Sequence, residues 1–183
     1  MSKIVGISGF SNSGKTTLIS KLIVYFKSKN YKVAVVKHAK SGFKFGEGDT
    51  EKFIKNNADC VAGISEEGVL FYKKGSFSLE DILKEIGSFY DIVLIEGFKK
   101  ESLPKLFFID NNINDEGITL LKNVKENIVG FVGEESFYIH DYSIKGPYKT
   151  SEGEWYVKFY DKNLPYFDRD DIEKIAEFIM REI

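Results

Sequence analysis

Gly9-Phe10-Ser11-Asn12-Ser13-Gly14-Lys15-Thr16 has the spacing G-x-x-x-x-G-K-T, and each fixed position suits the holding of phosphate. Gly9 and Gly14 let the backbone turn tightly, so that successive N–H groups point inward as an anion-binding nest. Lys15 is placed to reach the β- and γ-phosphates of a nucleoside triphosphate, and the Thr16 hydroxyl to ligate Mg²⁺. Ser11, Asn12, Ser13 and Thr17 complete the expected cradle. A chance Gly/Ser turn before a helix is the plain alternative. Context decides against it, because an apolar strand precedes the glycines and a helix follows them. Backbone donors do most of the holding, so a chain of net charge −2 can still bind a polyanion.

Magnesium also needs a carboxylate, usually at the C-terminal end of a neighbouring parallel strand. Glu96, after the apolar run Ile92-Val93-Leu94-Ile95, is the leading candidate for the metal and, with Lys15, for catalysis. Its alternative is a solvated charge where a strand leaves the sheet. Asp49 is the second metal candidate, with the N-cap of a short helix as its other reading. Lys37 and His38 end a second strand and are candidates for contacting phosphate or positioning water. Lys99 and Lys105 are read as contacts to an anionic substrate or, more ordinarily, as solvated lysines. His140, among Phe137, Tyr138 and Tyr142, is read as structural.

The elements that must position these groups follow from apolar spacing. Residues 3–8 form a buried strand. Leu18, Ile19, Leu22, Ile23 and Phe26 mark one face of a helix from Thr16 to about Lys29, stopped at Asn30. Residues 33–36 are a second strand, which completes a βαβ unit with a parallel sheet. Further strands are expected at 60–65, 69–72, 91–96, 105–109 and 127–132. Helices are expected from Asp49 through Asn56, over 79–86 with Ser78 as N-cap, and from Asp170 to Arg181. Alternating strands and helices imply an α/β fold: a P-loop NTPase three-layer α/β/α sandwich with a mostly parallel sheet, in one domain over 1–183.

Composition bounds the function. With 183 residues, 43% hydrophobic and 30% charged, the chain reads as a soluble globular domain needing no disulfide or structural metal. The single Cys60 and the lack of a membrane span or signal core lead us to expect a cytoplasmic protein. Net charge −2 gives no reason to expect nucleic acid or membrane as a partner. Of 26 Lys plus Arg, only Arg169 and Arg181 are arginine, so the arginine clamps of a fast kinase are not expected. Residues 131–167 hold 11 of the 27 aromatics, including Trp155, which marks a β-rich subregion packing its own core or feeding an interface.

Several strings occur together: the loop 9–16, Val36-Lys37-His38, Gly48-Asp49-Thr50, Asp91-Ile-Val-Leu-Ile-Glu-Gly-Phe-Lys99 with Pro104-Lys105, and Leu164-Pro-Tyr-Phe-Asp168-Arg-Asp-Asp-Ile172. In this order they resemble the MobB family of molybdopterin-guanine dinucleotide biosynthesis. The resemblance implies a GTP-binding protein with weak GTPase activity, Mg²⁺ as its metal, and a homodimer. It also implies a role in molybdenum cofactor biosynthesis beside a MobA-like guanylyltransferase. Departures are plain: Ala39-Lys-Ser-Gly-Phe43 lacks the further histidine common in that loop, and the resemblance does not place residues 111–165. Guanine is not written in the residues, since no Asn-Lys-x-Asp string occurs and Asn112-Ile-Asn-Asp115 substitutes poorly; ATP stays open. Other functions considered are a small-molecule kinase and an NTP-dependent metallochaperone or switch.

Overall fold

The computed structural model describes residues 2–39, 42–43, 48–109, 115–134 and 144–183; His140 and its aromatic neighbours, and Asn112 to Asn114, lie outside them. In chain order its elements are β1 (Lys3–Ser8), α1 (Lys15–Ser28), β2 (Val33–Lys37), α2 (Asp49–Lys55), β3 (Cys60–Ser65), β4 (Gly68–Lys73) and α3 (Leu79–Ile86). There follow β5 (Ile92–Glu96), β6 (Lys105–Phe108), α4 (Asp115–Val124), β7 (Ile128–Gly133), β8 (Ile144–Lys149), β9 (Trp155–Phe159), β10 (Lys162–Asp168) and α5 (Ile172–Glu182). They form two compact units, one of Met1–His38 with Lys84–Ile183, the other of Ala39–Leu83.

The first unit is built on an eight-stranded sheet of order β2-β5-β1-β6-β7-β10-β9-β8. The run from β2 to β10 is parallel, and β9 and β8 continue it antiparallel. Successive side chains leave a strand on opposite faces, and β6 uses both. Leu106 and Phe108 join the helices α1 and α5 in a core with Val5, Ile7, Leu22, Phe26, Ile175 and Ile179. Phe107 and Ile109 point the other way, into a second core with Leu121 and Val124 of α4 and with Phe131, Val157 and Phe159. Helices on both faces of a mostly parallel sheet make this an α/β P-loop fold. Helix α1 stops as its sequence suggests: Asn30 takes a left-handed φ of 64°, and its N–H returns to the Lys27 carbonyl.

Strand β10 changes partners midway. Leu164 and Pro165 pair antiparallel with Val157 and Tyr156, whereas Tyr166, Phe167 and Asp168 pair in parallel with Phe131, Val132 and Gly133. Pro165 has no N–H to give a ladder, and it sits at the changeover. The aromatics expected to cluster over 131–167 divide accordingly. Phe131, Phe159, Tyr166 and Phe167 are buried, while Tyr148 and Tyr160 stay exposed.

In the second unit, β3 and β4 form a two-stranded antiparallel hairpin with Ala62 opposite Phe71 and Ile64 opposite Val69. Ile64, Val69 and Phe71 share one face and are exposed. Helix α2 begins one residue earlier than its expected cap allows: Gly48 is the N-cap, and Asp49 is the first helical residue. Its carboxylate therefore lies in the first turn, where negative charge favours the helix dipole without closing a cap. Ser78 does cap α3. Its hydroxyl accepts from the Asp81 N–H at 3.1 Å while the Ser78 N–H donates to the Asp81 carboxylate at 2.9 Å, a reciprocal capping box.

Candidate functional site

The loop between β1 and α1 takes its shape from what lies beneath it. Gly9 has φ 141°, and a Cβ there would lie 2.7 Å from Phe108 Cβ and 2.9 Å from the Phe108 carbonyl oxygen. Only glycine fits that approach. Asn12 (φ 62°) and Gly14 (φ 96°) also turn left-handed, which aims N–H groups along the inside of the bend. Leu18 N–H closes the first helical turn on the Gly14 carbonyl at 2.9 Å, so the dipole's positive end faces the same hollow. Ser13 is buried in the loop, and its hydroxyl accepts from the Lys15 ammonium at 3.2 Å; that ammonium also donates to the Phe10 carbonyl. Ser11 and Thr17 flank the same turn, Ser11 within the loop and Thr17 in the first turn of α1.

The sheet then brings Glu96 across. Register pairs Ile7 of β1 with Glu96 of β5, and Lys37 of β2 with the same residue. The Thr16 hydroxyl donates to Glu96 Oε1 at 3.0 Å. Lys37 Nζ lies 3.0 Å from Glu96 Oε2, and the carboxylate's side chain is only 13% exposed. Thr16, Glu96 and Lys37 thus meet at the mouth of the loop. A hydroxyl and a carboxylate are the hard oxygen donors that Mg²⁺ takes in small number beside phosphate oxygens, so these residues fit that ion. Lys37 offsets the carboxylate's charge and holds its orientation.

His38 has a different neighbour. Its N–H donates to the Glu96 carbonyl at 3.0 Å, and its ring lies 5.0 Å from that of Phe98. Among the described residues its ring contact is thus with the turn after β5. Asp49 belongs to the second unit, where its carboxylate pairs with Lys52 at 2.9 Å.

Two lysine and arginine positions depart from expectation. Lys105 is not a solvated lysine: it is fully buried, and its ammonium donates to the Glu101 and Leu103 carbonyls. Burial lowers its pKa, with the Glu101 charge opposing. Residue 105 lies on central strand β6, so the stem packs and the ammonium reaches the preceding turn. Arg169, distant in sequence, comes to the loop. Its Nη1 is 3.9 Å from where a Gly14 Cβ would stand, and its guanidinium lies 6.0 Å from the Phe108 ring centre. Only its position after β10, three strands from β1, brings it there. The signal that could have flagged it is rarity, as one of two arginines.

Comparison with known proteins identifies a family for the chain. The sequence model of the family described as molybdopterin guanine dinucleotide synthesis protein B matches residues 4–134. A putative molybdopterin-guanine dinucleotide biosynthesis adapter protein of Methanocaldococcus jannaschii is 26% identical over 137 residues, covering 69% of this chain and 57% of that protein. The adapter protein of Haemophilus influenzae is 31% identical over 114 residues, covering 56% of this chain and 61% of its own length. The chain thus spans about three fifths of these two relatives. A crystal structure of molybdopterin-guanine biosynthesis protein B (MobB) superposes with a TM-score of 0.68 at 26% identity, over 98% of this chain and 99% of that one. With a phosphate-type loop, a carboxylate across from its threonine and a family match over most of its length, this chain belongs to the MobB family.

Proposed function

We propose that the chain binds GTP with Mg²⁺ at the loop of residues 9–17, hydrolyses it slowly, and serves as an accessory to a MobA-like guanylyltransferase in molybdenum cofactor biosynthesis. The observation that carries this reading is the Thr16 hydroxyl on the Glu96 carboxylate, 3.0 Å apart at the mouth of a glycine loop. In it, N–H groups from Ser13 to Thr17 hold the β- and α-phosphates, Lys15 leaves the Phe10 carbonyl for the β- and γ-oxygens, and Thr16 ligates the metal. Glu96 orients the metal's water shell or enters it directly, and Lys37 stands at the γ-phosphate end. Mg²⁺, when bound, neutralises charge developing on the phosphoryl oxygens.

Slow turnover follows from what stands at that end. Lysines face the γ-phosphate, and the one arginine near the loop approaches from the opposite flank. An arginine finger contributes ~10³–10⁵ in rate, so its absence there keeps hydrolysis slow. The guanine preference and the cofactor pathway rest on the family. A homodimer rests on it too, and the exposed face of Ile64, Val69 and Phe71 is apolar surface that a second copy would cover. The exposed thiol of Cys60 suits the reducing cytoplasm; no described helix is long and apolar enough to cross a membrane.

Calorimetry with GTP and ATP, each with Mg²⁺, on the wild type and Lys15→Ala tests this. Micromolar GTP binding lost in Lys15→Ala, with single-turnover hydrolysis far slower than nucleotide exchange, is expected. Phosphate transfer to a small acceptor, or no nucleotide binding, would contradict it.

A further inference from the structure

We propose that Glu134 and Arg169 form the base-reading end of the nucleotide site, with Glu134 accepting from the N1–H and N2–H₂ groups of guanine and Arg169 donating to its O6. This rests on the nucleotide reading above and names what makes the site select guanine.

Strand order sets the direction. Glu96 and Lys37 lie on β5 and β2, to one side of β1, whereas Glu134 and Arg169 follow β7 and β10, to the other. With the γ-phosphate and metal at Thr16 and Glu96, the nucleoside must leave the loop away from them. That direction runs past Gly14 towards the ends of β7 and β10, and ligands of open α/β sheets sit at those carboxyl ends.

The pair is fixed by its surroundings. Gly133 has no room for a side chain: a Cβ would stand 2.4 Å from the Tyr166 hydroxyl and 2.7 Å from the Ile109 carbonyl oxygen. The Tyr166 hydroxyl, its pKa raised chiefly by burial, stays protonated and donates to the Glu134 carbonyl at 2.6 Å. Arg169 N–H donates to the Gly133 carbonyl at 2.8 Å. The two side chains therefore start from backbones tied to each other and meet at 3.1 Å, Nη2 to Oε1. The Glu134 side chain remains 56% exposed, and Arg169 Nε is buried with no hydrogen-bond partner among the described residues.

Chemistry then selects the base. Guanine offers acceptors at O6 and N7 beside donors at N1 and N2. Arg donating to O6 and N7 is the commonest specific contact to it. A carboxylate has no proton to give at neutral pH and so complements the donor edge. Adenine carries a donor at N6 where guanine has O6, and an acceptor at N1, so the same pair opposes it. The guanidinium face, already over Phe108, can also stack on a base.

The test is titration of GDP and ADP, each with Mg²⁺, against the wild type, Glu134→Gln, Arg169→Ala and Lys15→Ala. Glu134→Gln removes the charge at an exposed position and should leave the fold intact. The wild type is expected to prefer GDP at least ~10-fold; Glu134→Gln should weaken GDP ~10-fold while leaving ADP unchanged, and Arg169→Ala should also narrow the preference. Lys15→Ala should weaken both nucleotides alike. Unchanged GDP/ADP ratios in both Glu134→Gln and Arg169→Ala would overturn the assignment while leaving nucleotide binding in place. So would equal weakening of both nucleotides by Arg169→Ala, since that assigns Arg169 to phosphate. A wild type that binds neither nucleotide would sink this inference together with the reading beneath it.

Discussion

The two flanks of the phosphate loop are assembled in opposite ways. On the β5 and β2 side, Thr16, Glu96 and Lys37 each end or follow a strand whose register with its neighbour brings them together. On the β7 and β10 side, Glu134 and Arg169 meet only because a strand formed near the C-terminus inserts in parallel beside β7. Phosphate chemistry needs backbone amides and one hydroxyl at fixed spacing, so it can be written in eight consecutive residues. Discriminating a base needs side chains at a distance from the loop, and the fold supplies them from wherever the sheet ends.

Four substitutions break or sharpen that contrast. Phe108 is shared ground, buried under Gly9 and beneath Arg169. Phe108→Ala should cost ~3–5 kcal/mol in denaturant unfolding and disturb both flanks at once. A loss under 1 kcal/mol would mean the floor is not built as described. Lys15→Ala touches the phosphate flank alone. It should weaken triphosphate binding ~100-fold by calorimetry, as expected for losing a charge-assisted contact, with the melting temperature little changed. Glu96→Gln should lower the Mg²⁺ dependence of nucleotide affinity ~10-fold, since groups behind a metal commonly contribute that much. Equal affinities with and without Mg²⁺ in the wild type would remove Glu96 from the metal.

The smallest effect belongs to the tie between α1 and the loop before α5. Lys21 lies 2.5 Å from Asp170, and its hydrogen bond and charge lower the Asp170 pKa below the ordinary 3.8. A depressed carboxylate pKa means the folded state holds that proton less tightly than the unfolded chain. The tie therefore stabilises at neutral pH and fades as the pH falls below that ordinary value. Melting curves of wild type and Asp170→Asn should differ slightly at pH 7 and draw together as the pH falls below that ordinary value; the pair is exposed and salt should shrink the difference. A gap that widens in acid would reverse the assignment.

What was legible in sequence follows the same division. The strands around Val5 and Leu94 and the helix bearing Leu22 and Phe26 are local periodicities, and the structure keeps them within a residue or two. The place of Glu96 beside Thr16 was legible because an apolar run must end somewhere, and a central strand ends at the edge the phosphate loop shares. Lys105 was misread because lysine is usually solvated; only its place on β6, with Leu106 and Phe107 beside it, reveals burial. Helix α4 went unread, with Gly117 and Thr119 weakening its helical signal. Strand β10 was hidden by Pro165, which splits it between two partners. Arg169 carries no local signal for a place beside the loop, because sequence distance says little about position once β10 joins the sheet.

The most direct test is a crystal structure of the protein with Mg²⁺ and a non-hydrolysable GTP analogue. The account predicts phosphates wrapped by the amides of residues 13–17, the metal on Thr16 Oγ1 with Glu96 directly or through one water, and the guanine beside Glu134. Nucleotide bound elsewhere, with Lys15 still turned onto the Phe10 carbonyl, would contradict it.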